Sequence, residues 1–230
     1  MLNQVPAEIL EFVAARSRPC LLMCDGTGRI LARFTHPGSS VPDDICSAGA
    51  LDACLSRSVL DEWLDLIRES ICSNRALQAL VLLDGTGFDL GCMPTITETE
   101  VRVVWLHVAG MGDQGFAACG AVRRTLLNHE WGVLDALSRS QLDTLRDVTR
   151  GLCNQQIADR VHRSKRAVEW HIRHLHRLLC VGSREGMARI GRTARLDAFE
   201  DAEWVAILAT RPARRTLEEY ALHPSSNRVA

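Results

Sequence analysis

Six cationic side chains stand within NQQIADRVHRSKRAVEWHIRHLHRLL, residues 154–179: Arg160, Arg163, Lys165, Arg166, Arg173 and Arg177. His162, His171, His174 and His176 lie among them. Guanidinium and ammonium groups at this density suit a polyanion, since phosphate oxygens accept the charge-assisted hydrogen bonds they donate. The spacing rules out a plainer alternative, a metal site built on the histidines. On one helix only His171 and His174 share a face, too few for an ion.

The charge is concentrated here against the balance of the chain, whose formal net charge is −1. Residues 1–136 carry 10 basic and 17 acidic side chains, net −7, and residues 137–195 carry 13 and 5, net +8. Residues 196–230 carry 4 and 6, net −2. A basic block beside an acidic one points to a polyanion-binding module attached to something else. Lys165 is the single lysine. The preceding 164 residues therefore hold no phosphate-loop lysine, no Schiff-base lysine and no lysine of a phosphoacceptor receiver domain.

Helices must position the basic block. Leu142, Leu145 and Val148 fall on one helical face, Ser138 or Ser140 offers an N-cap, and Gly151 suits a left-handed C-terminal stop. A short helix fits 154–161 with Ile157, Ala158 and Val161 inward, and HRS (162–164) breaks the pattern. Ser164 then caps a helix to about Leu179, whose stripe is Val168, Ile172, Leu175 and Leu179. Two short helices joined by a tight turn, the second basic outside, have helix-turn-helix geometry.

Residues Leu137 to Leu145, Gly151-Leu152, Asn154, Ile157-Ala158, Ser164, Val168, His171, Leu179, Val181 and Ser183-Arg184 resemble the LuxR-type (GerE or NarL-type) helix-turn-helix domain over about 55 residues. The resemblance implies a fourth helix at about 183–194 and a homodimeric transcription regulator that binds double-stranded DNA and works with RNA polymerase. It places Glu169, Trp170 and Arg173 towards bases and Lys165, Arg166 and Arg177 towards phosphates, with the cap Ser164 also among the DNA-binding residues. For Trp170 the alternative is packing against the preceding helix, for Arg177 a solvated helix end. His171 matches a position that supports the fold. Two departures stand out: Gln141 replaces an acidic residue, and Glu169 stands where a lysine is frequent. A glutamate accepts from a cytosine amino group but repels phosphate.

Upstream, LLMCDGTGRIL (21–31) is echoed by LVLLDGTGFDL (80–90). Asp-Gly with a further glycine suits a tight turn, so two hairpins are expected, followed by a strand at 101–108. Helices are expected at 48–56 and 59–72, the second with Leu60, Trp63, Leu64, Ile67 and Ile71 inward. This order, with Asp25, Gly28 and Ile30, resembles the PAS sensor fold, which implies a sensing or dimerising domain and leaves a small molecule as a candidate ligand. A stiff helix or a passive linker fits 116–136; beyond Leu196 an acidic helix, a weaker one around TLEEYAL and a polar tail follow.

Nine cysteines are scattered through apolar segments and read as small buried hydrophobes. Cys20 and Cys24, four apart on a strand, lie ~13 Å from each other, too far to share an ion. No catalytic, metal or cofactor site is expected. With no signal-peptide pattern and no apolar run of bilayer length, a cytoplasmic protein that does not enter a membrane is expected. The expected fold is α+β. It comprises a PAS-like domain with an antiparallel five-stranded sheet and helices (1–115), a helical connector (116–136), an all-α four-helix LuxR-type helix-turn-helix domain (137–195) and a C-terminal helical extension and tail (196–230). The expected function is operator-specific DNA binding through the helix 165–178, without enzyme activity. The alternative is an adaptor for protein contacts whose helix-turn-helix does not bind DNA.

Overall fold

The computed structural model describes residues 20–36, 39, 41–97, 100–110 and 120–211. The chain divides into two compact units. Among described residues the first holds 20–81 and 88–128, the second 82–87 and 129–211.

A six-stranded sheet dominates the first unit. Its strands are β1 (Cys20–Cys24), β2 (Ile30–Thr35), β3 (Leu77–Leu83), β4 (Thr86–Ile96), β5 (Arg102–Ala109) and β6 (Val122–Arg123), in the order β2-β1-β5-β4-β3-β6. β5 runs antiparallel to both β1 and β4, with Leu22 opposite Leu106 and Cys92 opposite Leu106 from the other side. Such central strands are covered on both faces and read as nearly continuous apolar runs, which VRVVWLHV does. The five expected strands are present. The sixth, β6, joins parallel to β3 through Leu77 and Val122 and was not expected.

β6 also corrects the connector. Within its described part, residues 120–136, there is no α-helix: a two-residue strand is followed by chain without regular secondary structure and a 3-10 turn at Gly132–Ala136. Chain pairing with the sheet edge satisfies the backbone that a helix would have satisfied internally. The helix expected at 48–56 is instead a short α1 (Asp43–Ser47) and a 3-10 turn, Leu51–Ala53.

Helix α2 (Arg57–Ser73) is amphipathic as expected, but its buried face is rotated. Val59, Leu60, Trp63, Leu66, Ile67 and Ser70 are buried, while Leu64 and Ile71 are half-buried. Ser70 can be inside because its hydroxyl donates to the carbonyl of Arg75 at 2.8 Å. Burial pushes the thiols of Cys20 and Cys24 up to about 12, and that of Cys92 higher still, so all three pack as neutral groups.

Both Asp-Gly-Thr-Gly stretches turn the chain, by different means. At the first, Asp25 Oδ1 accepts from the backbone of Thr27 at 2.8 Å and of Arg29 at 3.2 Å, an Asx-type turn. At the second, Asp84 and Gly85 form a two-residue loop with φ of 48° and 75°, the primed geometry that matches strand twist.

That second turn belongs to the second unit, where Gly85 donates its N–H to the carbonyl of Glu130 at 2.8 Å. A Cβ on Gly87 would lie 2.7 Å from the carbonyl oxygen of Ala194, so this glycine is required by close approach. The remaining elements of the unit are α3 (Arg139–Thr149), α4 (Asn154–Arg160), α5 (Lys165–Leu178), α6 (Arg184–Thr193) and α7 (Asp201–Thr210). The helix expected around TLEEYAL, the polar tail, the N-terminus and residues 116–119 lie outside the described residues.

Candidate nucleic-acid interface

Capping sets where each helix of the basic block begins and ends. Ser138 accepts from the N–H of Gln141, and Gln141 Oε1 accepts from the N–H of Ser138 at 2.7 Å, a closed capping box. Gln141 therefore performs the same local task an acidic residue would. Cys153 caps α4, with its N–H given to Gln156 Oε1 at 2.8 Å, and Ser164 caps α5 by accepting from Ala167. Each of α3 to α6 ends in a left-handed residue: Gly151, His162, Cys180 and Arg195. The N–H beyond it bonds back five residues, as Leu152 does to Asp147 and Arg163 to Ala158. His162 thereby makes the tight turn that joins α4 to α5.

Behind the turn, Ile157 and Ala158 of α4 and Val168, Ile172 and Leu175 of α5 are buried. The opposite side of α5 bears Arg166, Trp170, Arg173 and Arg177, all exposed, at the spacing that aligns residues along one helical ridge. Lys165 and Ser164 are exposed at its N-terminal end, and Glu169 is half-buried on its flank. Trp170 is 53% exposed, so it does not pack against the preceding helix. Its ring stacks on His174 with centroids 5.4 Å apart and planes 6° from parallel, and meets His171 edge-on. Arg177 donates to His174 Nδ1 at 3.2 Å.

The net positive charge of 137–195 overstates what faces outward. Arg146 is buried, and Arg160 donates from Nε and Nη2 to the buried Asp147 carboxylate. Burial outweighs that pairing and holds the Asp147 carboxyl above its ordinary value. Arg150 pairs with Asp201, and Arg184 ties α6 to α4 through Asn154 Oδ1 and the carbonyl of Leu152. These four arginines are engaged within the unit. Of the cations in 154–179, Arg163, Lys165, Arg166, Arg173 and Arg177 remain on the surface. Sequence reasoning missed His174 and the internal arginines, because neither stacking nor burial of a charge has a spacing signature.

A cleft of about 170 Å³ in the first unit is lined by α2 and by residues 124–126. Its carboxylates are engaged within the protein: Glu62 accepts from the backbone of Leu127 and Asn128, and Glu69 is paired with Arg124. It is smaller than the clefts that enclose drug-sized ligands.

A short helix, a tight turn and a second helix with one buried and one cationic face, braced by helices before and after, define a helix-turn-helix DNA-binding module. Residues 135–190 match the family of bacterial regulatory proteins, luxR family (GerE), and form a domain of that family. No curated protein matches the chain. Among solved structures, it is similar to the VqmA dimer of Vibrio cholerae without target DNA, at 12% identity over 88% of this chain and 93% of that one, with a TM-score of 0.37. The VqmA–ligand–DNA complex of the same organism gives 12% identity, 84% and 90% coverage and a TM-score of 0.42. A domain of an HTR-like protein from Haloarcula marismortui gives 14% identity, 41% and 99% coverage and a TM-score of 0.34. No helix among the described residues is long and apolar enough to cross a membrane.

The pH response of this unit has a definite sign at His171. Burial, then the nearby charges of Arg163 and His174, hold its imidazole below the ordinary histidine value. A histidine depressed on folding binds fewer protons in the native than in the unfolded state. Its contribution is complete above the unfolded value of about 6.5 and is lost as pH falls through it. Urea midpoints followed from about pH 7.5 to about pH 5.5 should fall further for the wild type than for His171→Gln. Parallel profiles would show that another group governs the slope.

Proposed function

We propose that this chain is a cytoplasmic, non-enzymatic transcription regulator that reads a specific DNA site through α5. It acts as a homodimer alongside RNA polymerase, while the N-terminal unit senses a small molecule or mediates dimerisation. One observation carries the reading: a luxR-family domain presents an exposed ridge of Arg166, Trp170, Arg173 and Arg177 directly opposite its buried stripe. A helix so armed fits a major groove about 12 Å wide, with cations at the flanking phosphates. Ser164 can still donate its hydroxyl to a phosphate while its oxygen caps the helix. In this assignment Glu169, Trp170 and Arg173 face bases, and Lys165, Arg166 and Arg177 face the backbone.

Recovery of genomic fragments bound by the protein tests the reading and yields the site. On that site, Arg173→Ala should weaken binding by about 1–3 kcal/mol and leave binding to random DNA nearly unchanged. Arg166→Ala should weaken both and lower the salt slope by roughly one. Binding independent of ionic strength would remove the proposal. The half-buried Glu169 favours the adaptor reading to the extent that its carboxylate repels phosphate, and that reading expects no enrichment of duplex DNA at low salt.

A further inference from the structure

The outer ridge of α5 has an unusual centre. Trp170 stands between Arg166 on one side and Arg173 and Arg177 on the other, and it is the large apolar surface of that ridge. The arginines can serve phosphates or base edges, but an indole has a single N–H donor and no acceptor. It cannot make the paired hydrogen bonds by which polar side chains distinguish base pairs in the major groove. One apolar group is offered there, the C5-methyl of thymine.

The indole is also held in place. His174, one helical turn onward, lies nearly parallel to it, and Arg177 fixes His174 in turn by donating to its Nδ1. His171 closes on the indole edge from the adjoining position. An exposed tryptophan would ordinarily sample several rotamers and lose that freedom on binding. This one stands supported on two rings of its own helix, with much of its surface left open.

We infer that Trp170, braced by His174, reads a thymine methyl group in the bound site. The inference deepens the DNA-binding reading above and rests on it. His174 is a positioning residue, acting through the indole. The apolar contact adds sequence preference without adding a phosphate contact, so it leaves the salt slope alone.

The test uses the full chain and a duplex selected from a randomised pool for tight binding. That duplex is then remade with uracil in place of thymine, one position at a time and throughout. The exchange removes only the methyl and keeps every hydrogen-bonding group. The wild type should bind about threefold to tenfold more weakly when the sensitive thymine loses its methyl, the worth of one buried methyl-sized group. For Trp170→Ala the ratio between the two duplexes should fall to about one, at an unchanged salt slope. His174→Ala should shrink the ratio while leaving the salt slope unchanged. Wild-type binding that separates selected from random duplexes yet ignores every thymine-to-uracil exchange would overturn the methyl assignment and leave DNA binding intact. An undiminished ratio in His174→Ala would overturn the bracing role. Failure to select any duplex at low salt would instead overturn the reading beneath.

Discussion

Arg146→Ala should destabilise the helix-turn-helix unit by on the order of 3–5 kcal/mol, a large share of the roughly 5–15 kcal/mol available to a domain. The side chain projects from α3 and is 2% exposed. Its Nε donates to the carbonyl of Leu196 at 3.1 Å, Nη2 donates to that of Phe199, and Nη1 pairs with Asp201 at 2.9 Å. The guanidinium carbon lies 5.1 Å from the centre of the Trp204 ring. Burial and the neighbouring Arg150 hold its pKa below the ordinary arginine value, and Asp201 works against them. The group is thus the clasp between α3 and the chain that leads into α7. Alanine leaves the Leu196 carbonyl without this donor, leaves the Phe199 carbonyl only its 3.4 Å bond from Arg150, and opens a cavity beside an aromatic ring.

Arg150 supplies the control, because it contacts the same Asp201 from the rim. Asp201 is 77% exposed, and Arg150→Ala should cost less than about 1 kcal/mol. Arg146→Lys keeps the charge but cannot reproduce three divergent bonds, and should recover less than half of the loss. Urea denaturation of the full chain, with amide exchange read on α3 and α7, measures both. A loss at Arg146→Ala no larger than at Arg150→Ala would refute the clasp.

Gly191→Ala should destabilise the same unit by about 1–3 kcal/mol, against the ordinary preference of helices for alanine. Gly191 is buried in α6, and a Cβ there would lie 1.8 Å from Thr149 Oγ1 and 3.0 Å from Thr149 Cβ. Thr149 is itself anchored, its hydroxyl donating to the carbonyl of Leu145 at 2.8 Å. The two helices must therefore separate or Thr149 must abandon its rotamer. Adding Thr149→Ala to Gly191→Ala should restore part of the stability, because Oγ1 and Cγ2 leave together. Adding Thr149→Ser should restore little, because the hydroxyl stays. Additive effects of Gly191→Ala and Thr149→Ala would show that the close approach is not what Gly191 serves.

Much of the DNA-facing module is legible along the chain. Helical positions are set by contacts three and four residues apart, so the stripe of Val168, Ile172 and Leu175 declares the buried face of α5 and, by geometry, the outward ridge. Ser138, Ser164 and Gly151 act within one turn of their own positions, and all three cap as their neighbours require. The two glycine-bearing turns are local for the same reason.

Charged residues are different. Arg160 and Arg173 carry the same group in the same basic block, yet one is committed to buried Asp147 and the other is free at the surface. Their spacing does not distinguish them, because the partner of Arg160 comes from another helix. The connector misled for a related reason: FAACGAVRRTLLNHEWGVLDA has helical composition, but β6 finds its hydrogen bonds on β3, far off in sequence.

The C-terminal extension shows the same division. An acidic helix near residue 200 was readable, and α7 is there. That it completes the module was not readable: Trp204 donates to Asp143 at 2.7 Å, and Arg211 donates to the carbonyls of Leu134 and Leu137 while lying over Trp131. Sequence alone therefore determined what local periodicity and short-range hydrogen bonds can determine: the helices, their caps, the turn and the face that carries the cations. Only the tertiary structure decided which cations are available to a ligand and which are internal struts. A buried guanidinium is tolerable only where carbonyls and carboxylates from distant segments converge on it, and that convergence exists nowhere but in the folded chain.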